Sequence, residues 1–499
     1  MFVTAGLLLL GALGLSLNVS AAPPATEVGG GINVDTTWTV AGSPYIVIAN
    51  ILVSPSATLT IQPGVEVRFN PDARLRIEGT LFAQGTPANP IRFTANNPSG
   101  TLGRWAGIFF KDSGTALTHD ELVESGLGNY LQYCIVELAG SEQGAIRIED
   151  SAVFVDHCTV RNNSNAGIRV ISNPEFAVTI SNNVVEHNQF SGDGAGIFGI
   201  ESTITGNLVR YNYATGDGAG IYAVSNSLVQ ENLVGYNTSV DDGGGMYAAN
   251  SSVGDNFIYN NNGDEAGGIY SLNNTLTGNT IVRNHSGRVA AGLYFIGSTP
   301  FQQNTVVANT STPGFAYGGV VLSGTPTVSF NNFYSNSPFD LVVQSSTNIA
   351  GENNYWGTAD SGTILGRIFD AFDDPNRGLF DFSPFLVDAT FPVPPPLNLQ
   401  AEFSGSTAEL SWSPLPSTSE DYVYKVYYST TNSAPPYNGT GLPQGSSPIE
   451  VGSATSFTLT GLTGRVLIVV TAEDSSNQES WYSNQVDNLA RVYLPIINQ

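Results

Sequence analysis

The sequence predicts an all-β chain in two parts, a long single-stranded parallel β-helix followed by a small antiparallel β-sandwich. Three observations predict it. A motif recurs about every 24 residues between positions 131 and 333. Each copy holds three short β-branched stretches separated by Gly, Asn or Asp turns, and none long enough for a helix. A Pro-rich segment, Pro392 to Pro396, then separates this array from strands of ordinary alternation.

The chain opens on an apolar run, Phe2 to Leu17, too short to span a bilayer comfortably and followed by the small-residue pattern Val19-Ser20-Ala21. Residues 1–21 therefore read as a secretory signal peptide and 22–31 as an N-terminal linker, although no Lys or Arg precedes the run as it usually does. No later segment is apolar for long enough to cross a membrane. The expectation is an exported protein, secreted or held at the cell surface, with no transmembrane segment and monomeric.

Of the 499 residues, 41% are hydrophobic, which suits a packed core, while 12% are charged, about half the usual share. Polarity comes instead from Asn, Ser, Thr and 55 Gly, a turn-rich composition. The formal net charge is −25, and Lys111 and Lys425 are the only lysines. Nucleic acid is excluded as a partner, because neutralising phosphates needs a basic footprint. Polyanionic glycans are repelled as well unless a cation intervenes.

The repeat decides the architecture of residues 32–391. Asn207-Leu-Val-Arg-Tyr-Asn212 recurs as Asn232-Leu-Val-Gly-Tyr-Asn237 and Asn279-Thr-Ile-Val-Arg-Asn284. One column runs Cys134, Cys158, Asn183, Asn207, Asn232, Asn256, Asn279, Asn304, Asn331. An apolar column from Val136 to Phe333 lies two positions later, a second from Leu131 to Val328 three positions earlier, and a third from Ile146 to Val320 follows. Three strands and three turns per copy describe one coil of a parallel β-helix, with like residues stacked roughly 4.8 Å apart. A single coil buries too little to offset the entropy of ordering it, so coils must stack and the array needs closed ends. Repeated turn asparagines fit this, since stacked amides satisfy one another and the turn backbone.

The opening Pro63-Gly64-Val-Glu-Val-Arg-Phe69, Gly79-Thr-Leu81, Gly85-Thr-Pro-Ala-Asn-Pro-Ile91 and Arg104-Trp-Ala-Gly-Ile108, with the closing Asn353-Asn-Tyr-Trp-Gly357 and Ser383-Pro-Phe-Leu386, resembles bacterial right-handed β-helix repeat proteins of the pectate-lyase-like superfamily. The resemblance covers about residues 32–386. It implies a right-handed helix and says little about activity, because that superfamily mixes enzymes, adhesins and proteins of unknown role. Beyond the boundary, Ala408-Glu-Leu-Ser-Trp412, Tyr424-Lys-Val-Tyr-Tyr428, Ser456-Phe-Thr-Leu-Thr-Gly-Leu462 and Val469-Val-Thr-Ala-Glu-Asp474 resemble a fibronectin type III domain over 392–489, with Trp412 as core indole. The family's tyrosine after the Leu462 turn is missing, since Val466 to Val470 are aliphatic. The tail 490–499 reads as an edge extension or a surface-sorting segment.

The candidate binding residues lie on the outside of the second strand, where an outward column reads Arg147, Arg169, Phe198, Tyr222, Tyr247, Tyr270, Tyr294. Sugars stack on aromatic faces, and a glycan's repeat resembles the coil spacing; alternatively the rings only cover one another. Five residues before each ring lies an acidic column, Asp193, Asp217, Asp242 and Glu265. Carboxylates stacked so closely must be solvated, partly protonated, or bridged by a cation, for which Ca²⁺ suits the oxygen donors. No cofactor is required, and Ca²⁺ is the one candidate ion.

The leading expectation is a non-catalytic protein using the strip, Arg169 included, to bind an extracellular polysaccharide or cell-surface glycan. Two alternatives stand: a polysaccharide lyase or glycoside hydrolase using the acid row with Arg169 or Arg288 beside it, and a structural surface protein without a dedicated site. No catalytic motif of the superfamily matches residue by residue. Glu137, Arg161, Glu186 and Arg210 read as an outward ion-pair ladder of small energetic weight. Cys134 and Cys158, one coil apart, are candidates for a disulfide or for two stacked free thiols. His119, His157, His187 and His285 occupy different columns, which argues against zinc.

Overall fold

The computed structural model describes residues 25–97, 105–113, 128–140, 143–171, 176–312, 317–417, 422–431 and 435–488. The signal peptide, the tail and His119 lie outside the described residues.

Three parallel sheets wind around one apolar core. The first is 12-stranded, from Thr36–Trp38 to Val328–Ser329. A second runs through Cys134–Glu137, Leu208–Arg210 and Asn332–Tyr334, and a third through Gly107–Lys111, Ile221–Val224 and Leu341–Val343. The nine-residue strand Tyr45–Val53 turns the corner between these two, its first half paired in the second sheet and its second half in the third. A strip of two-residue strands, Gln189–Phe190 to Thr310–Ser311, fills the turn between them. The three apolar columns point inward, and Ile180, Val209 and Ile221 are completely buried. The first rung is Thr26–Ile32, paired in parallel with Tyr45–Val53. It corrects the reading of 22–31 as a linker: Thr26–Ile32 pairs through its backbone as an edge rung, and Val28 and Ile32 pack against the helix core.

The corners explain the asparagines. From Asn183 to Asn354, each turn from the first sheet to the second passes through one residue in the left-handed region, such as Gly206 (φ 66°), Glu231 (φ 57°) or Asp255 (φ 54°), followed by the column asparagine. The amide of Asn207 donates to Asn232 Oδ1 at 3.0 Å and to the Ile180 carbonyl at 2.9 Å, while Asn207 Oδ1 accepts the Asn183 backbone N–H at 3.0 Å. The same pattern repeats from Asn183 to Asn354. A second ladder, Asn163 to Asn336, does the same work one corner later and ends on Asp340, whose carboxylate replaces the next amide. Left-handed backbone costs a non-glycine residue roughly 1–2 kcal/mol. The ladders hold it by satisfying N–H and C=O groups that a one-residue corner leaves unpaired.

The C-terminal unit holds two antiparallel sheets. One joins Leu397–Ser404, Thr407–Ser413 and Ser456–Thr460; the other joins Ile449–Gly452, Val423–Ser429, Leu467–Glu473 and Val486–Asp487. Both contribute to one core around Trp412, Tyr424, Leu459 and Val470, separate from the helix core. This unit docks on the helix, and the second sheet's outward column shows why there. From coil to coil it reads Arg161, Glu186, Arg210, Gly235, Tyr259, Val282, Val307, Tyr334. The charged half is held in ion pairs, Glu186 and Arg210 each being 13% exposed, and the apolar half is covered, Val282 and Val307 being fully buried. Phe257 stacks on Trp481 at 5.2 Å, the Thr305 hydroxyl donates to the Pro392 carbonyl at 2.7 Å, and the Tyr355 hydroxyl donates to the Pro416 carbonyl at 2.7 Å. Gly235 is required at the changeover, since a Cβ there would sit 2.4 Å from the Tyr259 ring.

Candidate functional site: the tyrosine and carboxylate ladders

Strand register places the expected aromatic column on successive rungs of the third sheet. Phe198, Tyr222, Tyr247 and Tyr270 stack at centroid distances of 4.8, 4.8 and 5.2 Å with planes 4°, 5° and 9° apart. Tyr294 meets Tyr270 edge-on, and its hydroxyl donates to Gln344 Oε1 at 2.7 Å. Phe198 and Tyr294 are buried, so Tyr222, Tyr247 and Tyr270 form the accessible part. At the other end the Arg169 guanidinium lies 3.8 Å over Phe198.

This geometry corrects one expectation. Rings parallel at such spacing occupy each other's faces, so a sugar cannot stack on them; the ladder offers ring edges and hydroxyls. Burial, then the neighbouring Tyr247 and the acids Asp193 and Asp217, push the Tyr222 phenol up to about 12, and Tyr247 and Tyr270 move the same way. All three remain protonated hydrogen-bond donors at neutral pH.

The acid column also stacks, and it carries a backbone role that periodicity did not reveal. Asp193 Oδ1 accepts the Asp217 N–H at 2.9 Å, and Asp217 Oδ1 accepts the Asp242 N–H at 3.1 Å. The following glycines, Gly194, Gly218 and Gly243, take positive φ, which the tight Asp-Gly turn demands. Burial first, and then the charges of Asp241 and Asp193, push Asp217 up to about 6. Burial followed by Glu265 and Asp217 pushes Asp242 up to about 7. Partial protonation is thus one way this row tolerates its own charge.

The group that could hold a divalent cation is Asp217, Asp241 and Asp242, whose ligand atoms lie within 4.8 Å of one another. Asp241 was missed because it lies outside the repeating column; the Asp241-Asp242 doublet, echoed by Asp264-Glu265 one coil on, was its signal. Asp193 and Glu265 stand outside this group. Arg288 bonds Glu265 and lies 3.3 Å from Asp264, so it caps the upper end. Arg288 is thus ion-paired, while Arg169 lies on the Phe198 ring with Nε and Nη1 buried and without hydrogen-bond partners.

The remaining readings fall elsewhere. Cys134 and Cys158 are buried free thiols. They take the place of asparagine in the ladder: the Cys134 N–H donates to Cys158 Sγ at 3.3 Å, and the Cys158 N–H to Asn183 Oδ1 at 2.8 Å. The thiols also donate to backbone carbonyls, Cys134 to Ala83 at 3.4 Å and Cys158 to Leu131 at 3.2 Å. Glu137 binds Arg92 and Arg161, and Glu186 binds Arg210 at 2.8 Å. His157 pairs with Asp156 at 2.6 Å, and His187 stacks on Tyr211. Tyr211 continues onto Tyr236 at 5.1 Å, a second aromatic row that the sequence reading passed over.

Residues 122–238 match the family model described as right-handed beta helix region. Together with the coil-to-coil parallel register, this match supports a right-handed β-helix repeat architecture. The chain is also similar over 63 residues, at 38% identity, to Protein bark beetle of Drosophila melanogaster, a match covering 13% of this chain and 2% of that protein. The match thus spans a very small part of that relative's length. No helix among the described residues is long and apolar enough to cross a membrane.

Proposed function

We propose that this β-helix is an exported, non-catalytic carbohydrate-binding protein. It holds an extended, hydroxyl-rich glycan along the ladder of Tyr222, Tyr247 and Tyr270. The observation carrying this reading is the ladder itself, with phenol rings repeating at centroid distances of 4.8–5.2 Å beside a parallel row of carboxyls. Phenols donate and carboxyls accept, and a sugar hydroxyl does both, so a chain laid along the helix axis finds a partner on each coil. The strongly negative chain favours a neutral or cationic glycan. The C-terminal unit, of fibronectin type III kind, serves as a fixed flank rather than a flexible spacer, and Ca²⁺ at Asp217, Asp241 and Asp242 is an optional neutraliser of the row.

The test is a glycan panel with two variants. Replacing Tyr222 and Tyr247 together by Phe keeps the stack and removes the hydroxyls, and affinity should fall roughly tenfold or more. Equal affinity in the Phe pair and the wild type sinks the proposal. Release of unsaturated uronate or new reducing ends from the panel would replace it with a lyase or hydrolase.

A further inference from the structure

The rungs of the tyrosine ladder are not equivalent, and their differences fix the length and shape of what the ladder can hold. Among the described residues, the hydroxyls of Tyr222, Tyr247 and Tyr270 meet no partner within the chain, and none of the three is sealed from solvent. Both ends of the row are closed. Phe198 is 7% exposed and has no hydroxyl, and the Arg169 guanidinium lies over its ring. Tyr294 is 9% exposed, meets Tyr270 edge-on, and spends its hydroxyl on Gln344. Three adjacent donors therefore stand open between two blocked ends.

The acids divide these three rungs further. Asp217 leads into Tyr222 and Asp242 into Tyr247, and among the described residues no cation pairs with either acid. Glu265 leads into Tyr270 and is held by Arg288. Two rungs thus offer a donor with an acceptor beside it, and the third offers a donor alone. Spacing then selects the chain. The three rings repeat at 4.8 and 5.2 Å while their planes turn by only 5° and 9°, so the row is straight. A polymer keeps register with it only by advancing about one coil spacing per sugar without curling. A β-1,4-linked chain is an extended ribbon of that kind, with hydroxyls along both edges. A β-1,3-linked chain of the same sugars curves away after its first contact.

We infer that the ladder is a three-sugar site for an extended, uncharged β-1,4-linked glycan, with Phe198 and Tyr294 as its end stops. The inference rests on the glycan reading above and adds to it a footprint and a linkage.

The experiment titrates the full chain with β-1,4-linked oligosaccharides of glucose, mannose and N-acetylglucosamine, from the disaccharide to the hexasaccharide, and with β-1,3-linked glucose chains of the same lengths. In one β-1,4 series the dissociation constant should fall roughly tenfold from the disaccharide to the trisaccharide, as for one added hydrogen-bonded rung. From there to the hexasaccharide it should fall less than about tenfold in all, because a longer chain adds only alternative placements. The β-1,3 trisaccharide should bind roughly tenfold more weakly or worse. Tyr270→Phe keeps the ring and should end the steep gain at the disaccharide. Phe198→Tyr, whose ring already lies within 4° of Tyr222 and follows Asp193, should carry the gain on to the tetrasaccharide. Affinity climbing evenly to the hexasaccharide, a β-1,3 chain bound as well as a β-1,4 chain, or a plateau that either variant leaves at the trisaccharide would each overturn this inference and leave the glycan reading standing. Silence in every series would overturn both.

Discussion

Asn207→Ala is the sharpest test of what holds the helix corners. In the wild type, Asn207 Oδ1 accepts both the backbone N–H and the side-chain amide of Asn183 at 3.0 Å. Its own amide donates to the carbonyls of Ile180 at 2.9 Å and Thr205 at 3.1 Å, and to Asn232 Oδ1 at 3.0 Å. Alanine strips the buried Asn183 N–H of its acceptor, a loss of ~1–3 kcal/mol, and removes two carbonyl bonds at about 1 kcal/mol each, giving roughly 3–5 kcal/mol. The Asn183 amide keeps the Val155 carbonyl, and Asn232 Oδ1 keeps the Asn207 N–H, so neither adds to the sum.

The structure supplies its own control. Two rungs of this ladder are cysteines, and Cys158 Sγ accepts the neighbouring N–H that an amide oxygen accepts elsewhere. Asn207→Cys should therefore recover the N–H term and lose only about 2 kcal/mol. Guanidinium midpoints at constant slope give the global figure, and because repeat arrays need not unfold as one unit, hydrogen exchange at the Asn183 amide reads the coil directly. An alanine variant within about 1 kcal/mol of wild type, or a cysteine variant as damaged as alanine, refutes the argument.

Other consequences follow from the same geometry. Because Asp217 and Asp242 titrate higher folded, near 6 and 7, than a free carboxyl near 4, the folded protein holds these protons more tightly. Their contribution is greatest below about pH 4 and is lost as pH rises toward about 7, so the melting temperature should fall across that window and flatten in Asp217→Asn/Asp242→Asn. Ca²⁺ bound by the row would raise the melting point near pH 8 and hardly at all near pH 5, whereas indifference to Ca²⁺ and chelator removes the ion. Burial, with the adjacent Cys158, raises the Cys134 thiol well above its usual value, so aromatic disulfide reagents should find no reactive thiol before unfolding and two after it. Trp481→Ala removes the ring stacked on Phe257 and should free the C-terminal unit, seen as faster proteolytic cleavage near Pro392 to Pro396 with the helix intact.

What was legible in the sequence is what depends on period alone. A step of about 24 residues puts Tyr222 over Tyr247 and Asn207 over Asn232, and strand register does so in the structure. What lay beyond reach depends on breaks in the period. The outward column that began as Glu137, Arg161, Glu186 and Arg210 continues through Gly235, Tyr259 and Val282, and that change from charge to apolar surface is where the C-terminal unit sits. The signal was present, since a solvated face does not turn apolar for several rungs without a cover. Asp241 is a break of the same sort, an extra acid that Asp264 repeats one coil later and that is Gly192 and Gly216 in the coils before.

Periodicity also conceals which side of a group remains available. A column of aromatic residues in register says that rings are neighbours and nothing about their tilt, yet tilt decides the chemistry. Splayed rings would expose faces suited to the carbon surface of a sugar; rings within 9° of parallel at about 5 Å consume those faces and leave hydroxyls. The acids follow the same logic. One carboxylate oxygen at Asp193 and Asp217 is spent on the next coil's N–H, so only what projects beyond that bond can meet a ligand. Recognition along this helix is therefore confined to what stacking does not use, a row of phenol hydroxyls and residual carboxyl oxygens. For that reason Tyr→Phe variants discriminate between readings that Tyr→Ala variants, which also collapse the stack, would merge.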